Sequence, residues 1–157
     1  MMATLANDSS KKALILGTVA FSISFALWGL LSGLMPILKA QLSLSSVQAS
    51  LLVAIPVVLG SLGRIPIGIA SDRFGGKKVF LFVMTAAILP VIGLGFARDY
   101  TSFLFLAALL GVAGTSFAVG VTFVSRWYAN QNQGTILGIY GVGNIGQSIA
   151  VFGAPAL

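Results

Sequence analysis

The sequence places one arginine, Arg64, inside a long apolar stretch at residues 47–70. A charged side chain at the centre of a membrane helix costs about 2.5–3.5 kcal/mol on insertion scales. The sequence contains three acidic residues, and none of them lies within an apolar stretch. Because no internal acid can neutralise it, we expect Arg64 to bind an anion, and its planar fork suits one with several oxygen atoms. The alternative is that Arg64 reaches the headgroups or forms a structural ion pair.

The helix face around Arg64 favours an inward orientation. Gly60, Arg64 and Gly68 are spaced four apart, so they share one face of a helix. Small residues mark the faces on which membrane helices pack against one another. We therefore expect the guanidinium to point into the helix bundle or into a water-filled cavity.

Two later apolar stretches contribute further candidate residues. Gly114, Phe117 and Gly120 recur at every third position, which places an aromatic ring beside a gap left by small residues. The alternative is ordinary helix packing with Phe117 in the core. Gly141 and Asn144 lie on a small polar stripe, and an asparagine in lipid must find a partner, either a neighbouring helix or a substrate.

The last apolar stretch also holds two glycine patterns. Gly134 and Gly138 form a G-x-x-x-G pair, which predicts close packing against another helix. Residues 141–146 match the G-x-G-x-x-G fingerprint of dinucleotide sites, which requires an acidic residue about 20 positions later. No acidic residue follows Asp99, so we exclude a dinucleotide-binding enzyme.

The loop at residues 68–78 carries the narrowest motif of the sequence. It reads G-x-x-x-D-R-x-G followed by basic residues, and its members are Gly68, Asp72, Arg73, Gly75 and Lys77. The glycines permit a tight turn, and the charges can pair with neighbouring helix ends. The alternative is a solvated basic loop without a special role.

The amino-acid composition indicates the kind of fold that must position these residues. Of 157 residues, 57% are hydrophobic and 8% are charged, whereas soluble domains carry about 25% charged residues. This excludes a soluble enzyme, a disordered chain and a nucleic-acid-binding protein. Five apolar stretches have the length of about 20 residues that a membrane helix needs, at residues 13–38, 47–70, 79–97, 102–124 and 134–157. The sequence therefore predicts an all-α, polytopic membrane helix bundle with short loops in the lipid bilayer.

The basic residues predict the orientation of this bundle. With the N-terminus in the cytoplasm, six lie inside and two outside, namely Lys11, Lys12, Arg73, Lys77, Lys78 and Arg126 against Lys39 and Arg98. Lys and Arg are retained on the cytoplasmic side, so a cytoplasmic N-terminus is favoured. The sequence has no His and no Cys, and we predict no metal site, no cofactor and no catalytic residues.

The loop motif resembles the signature loop between helices two and three of the major facilitator superfamily. Within that superfamily, the stretches at residues 114–118 and 133–146 resemble the nitrate/nitrite porter family. The resemblance covers roughly residues 61–155. One position departs from the pattern, because Gly76 stands where many members carry a basic residue.

This resemblance implies roles for the candidate residues. It implies that Arg64 binds the anion, that Phe117 packs over the flat anion, and that Asn144, with Gly141 in the glycine-rich signature of helix five, contacts it. For the loop that contains Asp72, it implies a conformational latch and no contact with substrate.

The resemblance also sets the expected function. The family has twelve helices in two halves, so about five helices predict an N-terminal portion at residues 1–157 whose C-terminal half is missing. We expect alternating-access transport of nitrate or nitrite in the inner membrane. The alternatives are a facilitator for another small anion or a drug, and a truncated membrane protein that transports nothing. Drug exporters of this superfamily carry a Gly-Pro pair in helix five, and none occurs at residues 134–153.

Overall fold

The computed structural model describes residues 8–156, and these residues are helical with short connections. Five helical crossings are long and apolar enough to span a membrane, and we call them spans 1 to 5. Spans 1, 2 and 3 are single helices, namely α1 (Asp8–Gln41), α2 (Ser46–Phe74) and α3 (Gly76–Leu94). No strand occurs among the described residues. The predicted all-α membrane bundle is therefore confirmed.

Spans 4 and 5 contain tighter segments within the crossing. Span 4 (Tyr100–Ser125) consists of α4 (Tyr100–Leu110), a 3₁₀ segment (Gly111–Thr115) and α5 (Ser116–Ser125). Span 5 (Asn130–Gly153) consists of a 3₁₀ turn (Asn130–Asn132), α6 (Gln133–Gly141), a 3₁₀ segment (Val142–Asn144) and α7 (Ile145–Gly153). A last 3₁₀ turn (Ala154–Ala156) follows, and Leu157 lies outside the described residues.

Side-chain caps define where two of the spans begin. Ser45 and Gln48 form a capping box at the start of span 2, in which the Ser45 Oγ accepts from the Gln48 N–H at 3.2 Å and the Gln48 Oε1 accepts from the Ser45 N–H at 2.9 Å. Asp99 caps span 4 by accepting from the backbone and the hydroxyl of Ser102. These hydrogen bonds, the one from the hydroxyl above all, lower the pKa of Asp99.

The ends of two helices differ from the ends of the predicted apolar stretches. Span 1 begins at Asp8, whereas the apolar stretch begins at residue 13, because Lys11 and Lys12 are good helix formers that need no lipid. Span 3 ends at Leu94, whereas the apolar stretch continues to residue 97. Hydropathy reports the part of a helix that lies in lipid, so it does not fix where the helix itself ends.

Span 4 lies at the centre of the bundle. Half of its most apolar window is buried, against 17% for spans 2 and 5. One hydrophobic cluster is built around Phe21, Val83 and Val119, and a second around Leu31 and Leu110. The spans that surround span 4 leave large apolar side chains on the outside of the bundle, where a bilayer would cover them.

Glycines set the closest helix contacts, although not at the predicted pair. A β-carbon added at Gly33 of span 1 would lie 2.6 Å from the Ala150 carbonyl oxygen of span 5, and one added at Gly146 would overlap the backbone of Ser22. By contrast, a β-carbon at Gly134 or Gly138 would meet no atom of the described residues within 4 Å. The predicted close packing of Gly134 and Gly138 is therefore wrong in this part of the chain, because span 1 contacts the later half of span 5.

Candidate functional site

Arg64 reaches from span 2 to the middle of span 4. Its Nε donates a hydrogen bond to the Gly114 carbonyl oxygen at 3.4 Å, and the side chain is half-buried. Gly114 lies near the midpoint of Tyr100–Ser125, so this contact, which is long for a hydrogen bond, places the guanidinium near the middle of the span. In the described part of the chain, the two terminal nitrogens form no hydrogen bond or ion pair. Their N–H groups are thus free to bind a ligand.

Close packing of small residues brings span 2 this near to span 4. A β-carbon added at Gly60 would lie 2.8 Å from the Gly111 carbonyl oxygen, and one at Gly63 would lie 3.0 Å from the Thr115 methyl. Gly60 therefore packs as its spacing from Arg64 predicts. Gly68 does not, because a β-carbon there would meet no described atom within 4 Å.

Phe117 forms the aromatic side of the site. Its ring centroid lies 5.7 Å from the Arg64 Cζ, a distance at which a cation is attracted to an aromatic face. The same ring is 5.5 Å from Phe21 and 6.1 Å from Tyr140. Phe117 thus connects the guanidinium to an aromatic cluster in the core.

Tyr140 is a residue that sequence reasoning missed. It is fully buried, its ring stacks on Phe21 at 4.7 Å, and its hydroxyl donates to the Ser116 carbonyl oxygen at 3.1 Å. Gly120 gives it room, since a β-carbon there would overlap the Tyr140 hydroxyl. A glycine at position 120 and an aromatic residue at position 140 are both visible in the sequence. Nothing in the sequence shows that the two positions face each other.

Asn144 and Gly141, the predicted site residues of span 5, form a hydrogen bond with each other. Asn144 is exposed, and its Nδ2 donates to the Gly141 carbonyl oxygen of its own helix at 3.0 Å. No hydrogen bond connects Asn144 to Arg64 among the described residues. Gly141 directly follows the buried Tyr140 in the chain, and a β-carbon added at Gly141 would meet no described atom within 4 Å.

Asp72 of the loop motif forms an exposed ion pair with Arg126, which follows span 4. The Arg126 Nη2 lies 3.4 Å from the Asp72 Oδ1 and 3.5 Å from the Asp72 carbonyl oxygen. The side chains are 52% and 69% exposed, respectively. Arg73 lies over its neighbour Phe74, with the Cζ 5.7 Å from the ring centroid. The acid nearest in sequence to Arg64 therefore has a different partner.

The glycines of the loop have different local tasks. Gly75 has a φ of +92°, which favours glycine, and it separates α2 from α3. Gly76 is buried, and a β-carbon there would lie 2.9 Å from the Cβ of Phe123. This contact gives a steric reason for the glycine where many superfamily members carry a basic residue. Lys77 is exposed at the start of α3.

These features define a class of protein. A bundle of apolar spans with one charged side chain at mid-depth is typical of membrane transport proteins, in which intramembrane charges mark substrate pathways. The sequence profile of the Major Facilitator Superfamily matches residues 17–157, so the chain belongs to this superfamily.

Similar proteins include several with nitrate or nitrite in their names. The chain is 41% identical over 145 residues to the "Probable nitrate/nitrite transporter NarK2" of Mycobacterium tuberculosis, covering 90% of this chain and 37% of that protein. It is 38% identical over 146 residues to the "Probable nitrate/nitrite antiporter NarK1" of Thermus thermophilus, covering 93% and 33%. It is 35% identical over 144 residues to the "Nitrite extrusion protein" of Bacillus subtilis, covering 92% and 36%.

Two statements follow from these comparisons. The predicted resemblance to the nitrate/nitrite porters is confirmed as a similarity over nine-tenths of the chain. The chain spans only 33–37% of the length of these relatives.

Proposed function

We propose that this chain is the N-terminal part of a membrane transporter for nitrate or nitrite that works by alternating access. The remaining transmembrane half is then a partner that completes the site from the opposite side. The observation that carries the proposal is the Arg64 guanidinium, held at mid-depth by Gly114 with its terminal nitrogens free. The names of similar proteins supply the anion class.

The chemistry of the site suits a small planar oxyanion. The two terminal nitrogens of an arginine present parallel N–H groups that match two oxygen atoms of one ligand. The Phe117 ring beside the guanidinium offers a flat surface for a flat ligand. The sequence has three acidic residues, and none lies within an apolar stretch. A bound anion would therefore supply a counter-charge that the apolar stretches of this chain do not provide.

Gly141 and Asn144 complete the proposed site from span 5. The Asn144 side chain is exposed on the surface of the bundle. Its side-chain oxygen accepts no hydrogen bond among residues 8–156. The open space at Gly141 leaves room beside it. We propose that they contact the anion only when the second half of the transporter closes over the site.

The residues of the loop motif act as a latch in this proposal. Asp72 and Arg126 connect the ends of spans 2 and 4 through an exposed pair that can open at little cost. Gly68, Arg73, Gly75 and Lys77 shape and charge the same loop. The pair lies about 12 Å along the helix from Arg64, so it would control movement without touching the anion.

We further propose the bacterial inner membrane as the location, with a cytoplasmic N-terminus. Reporter fusions after Lys12, Gly76 and Asn130 should report the cytoplasm, and a fusion after Asp99 should report the outside. The six-to-two distribution of basic residues is the physical reason. A cytoplasmic signal at Asp99 would contradict this topology.

Isotope uptake tests the transport function. The complete transporter that contains this chain should load proteoliposomes with labelled nitrate or nitrite, and the same unlabelled anions should compete. Cationic drugs should not compete, because Arg64 repels them. Transport of a cationic drug, or uptake no faster than in empty liposomes, would contradict the proposal.

A further inference from the structure

A small polar cavity lies between spans 1, 2 and 5. Its volume is about 10 Å³, which corresponds to one water molecule. Three polar side chains line it, namely Trp28, Ser32 and Gln147. The rest of the lining is apolar and comes from Leu31, Val53, Pro56 and Val57. No charged side chain of residues 8–156 lines it.

Two of the three polar side chains around this cavity have no hydrogen-bond partner among the described residues. In the described part of the chain, neither the Gln147 amide nor the Ser32 hydroxyl forms a hydrogen bond, and both residues are half-buried. The Trp28 Nε1 donates to the Pro56 carbonyl oxygen at 3.4 Å, which is long for such a bond. Polar groups inside a membrane bundle are costly when they are unpaired, so a small polar molecule would be a favourable partner for Gln147 and Ser32.

Packing holds Gln147 at this position. A β-carbon added at Gly29 would lie 2.9 Å from the Gln147 Cγ, so the glycine in span 1 provides the space that this side chain occupies. Substituting a larger residue at position 29 would displace it. The amide is thus fixed next to the cavity by the close contact of spans 1 and 5.

We propose that one ordered water molecule occupies this cavity and bridges Gln147 and Ser32, beside the Trp28 indole. A water can donate to the Gln147 amide oxygen and accept from the Ser32 hydroxyl, and it needs two to four polar partners. An oxyanion does not fit, because the volume matches a single water and no cation lines the cavity.

The proposed water lies next to the Arg64 site. The Trp28 Nε1 is 3.1 Å from the point that a β-carbon at Gly114 would occupy, and the Gly114 carbonyl oxygen accepts from Arg64. Trp28 therefore separates the water from the residue that anchors the guanidinium.

A structure of the complete protein in lipid nanodiscs, at a resolution that shows ordered water, tests the proposal directly. We expect a density peak within hydrogen-bond distance of the Gln147 amide and the Ser32 Oγ. An empty cavity, or a direct hydrogen bond between Gln147 and Ser32, would overturn it. This result does not depend on whether the protein transports nitrate.

A double-mutant cycle measured by thermal unfolding provides a second test. Ser32→Ala and Gln147→Leu should each lower Tm, because each leaves the water and the remaining polar group with one partner fewer. The double variant should lower Tm by less than the sum of the two, since it removes both groups that need the water. Additive shifts would contradict the bridge. Ser148→Ala, at the exposed neighbouring residue, is the matched control and should leave Tm unchanged. If a variant does not fold, the wild-type structure decides.

Discussion

Arg64 and Arg126 both connect spans 2 and 4, but they do so in opposite directions and at different depths. Arg64 of span 2 donates to the Gly114 carbonyl oxygen of span 4 at 3.4 Å. Arg126, at the end of span 4, lies 3.5 Å from the carbonyl oxygen of Asp72 at the end of span 2. The difference between the two contacts is the carboxylate, which only Arg126 has beside it.

This difference indicates separate tasks for the two arginines. An exposed pair such as Asp72–Arg126 contributes about 0–1 kcal/mol, so it can open and close during a conformational cycle. A charge at mid-depth has few waters to solvate it, and leaving it unpaired is costly. The end of the bundle is therefore suited to switching, and its centre is suited to binding an anion.

The largest effect should come from separating the two spans at mid-depth. Gly60→Leu places a side chain where the Gly111 carbonyl oxygen is 2.8 Å from the β-carbon position, and overpacking of this kind costs about 1–3 kcal/mol or more. Arg64 should lose its anchor and anion binding should fall below detection, as measured by nitrate-dependent thermal stabilisation. Gly68→Leu is the matched control, since its β-carbon meets no described atom within 4 Å. Equal binding in both variants would show that the close contact does not position Arg64.

Asp72→Asn should have the next largest effect, on transport rate and not on affinity. The variant removes the charge of the pair with Arg126, which slows the cycle, while the anion site about 12 Å away stays intact. Isotope uptake should fall strongly, and the nitrate Kd should stay within about twofold of wild type. An equal loss of affinity in Asp72→Asn and Arg64→Ala would contradict the separation of latch and site.

Phe117→Leu should have a smaller effect, which sharpens the description of the central site. Leucine keeps the apolar bulk but removes the ring that lies 5.7 Å from the Arg64 Cζ. A cation–π contact contributes about 0.5–2 kcal/mol to holding the guanidinium in position, so without it the nitrate Kd should rise by up to about 30-fold. Phe105→Leu, on the exposed side of span 4, is the control and should leave Kd unchanged. A Phe117→Leu variant with wild-type Kd would assign this ring to packing alone.

The sequence was sufficient for the helices and for the unusual position of Arg64. Apolar length and the cost of a buried charge are properties of single positions along the chain, so both can be recognised without knowing any contact. Spacing with Gly114 and Gly120 singled out Phe117, the family resemblance added its expected role, and the structure places its ring beside the guanidinium. The roles of Arg64, Phe117, Gly141 and Asn144 in binding stay predictions.

Contacts between distant residues could not be derived in this way. That Gly120 makes room for Tyr140, or that Gly114 accepts from Arg64, depends on how spans 2, 4 and 5 are arranged. The 3₁₀ segment at Gly111–Thr115 changes the rotation of span 4, which helical periodicity alone does not report. The small-residue pattern predicted close packing at Gly134 and Gly138, whereas the close contacts of span 5 among the described residues lie at Gly143 and Gly146.

Nitrate binding by Arg64 variants tests the central claim most directly. In the complete transporter, Arg64→Lys keeps the charge and loses the planar fork. Losing one charge-assisted hydrogen bond of about 1.5–3 kcal/mol should raise the nitrate Kd about 10-fold or more, and Arg64→Ala should raise it further. Arg98→Lys and Arg98→Ala, at an exposed arginine between spans 3 and 4, are the matched controls and should bind as wild type. Wild-type nitrate affinity in Arg64→Ala would show that the anion binds elsewhere and would contradict this account.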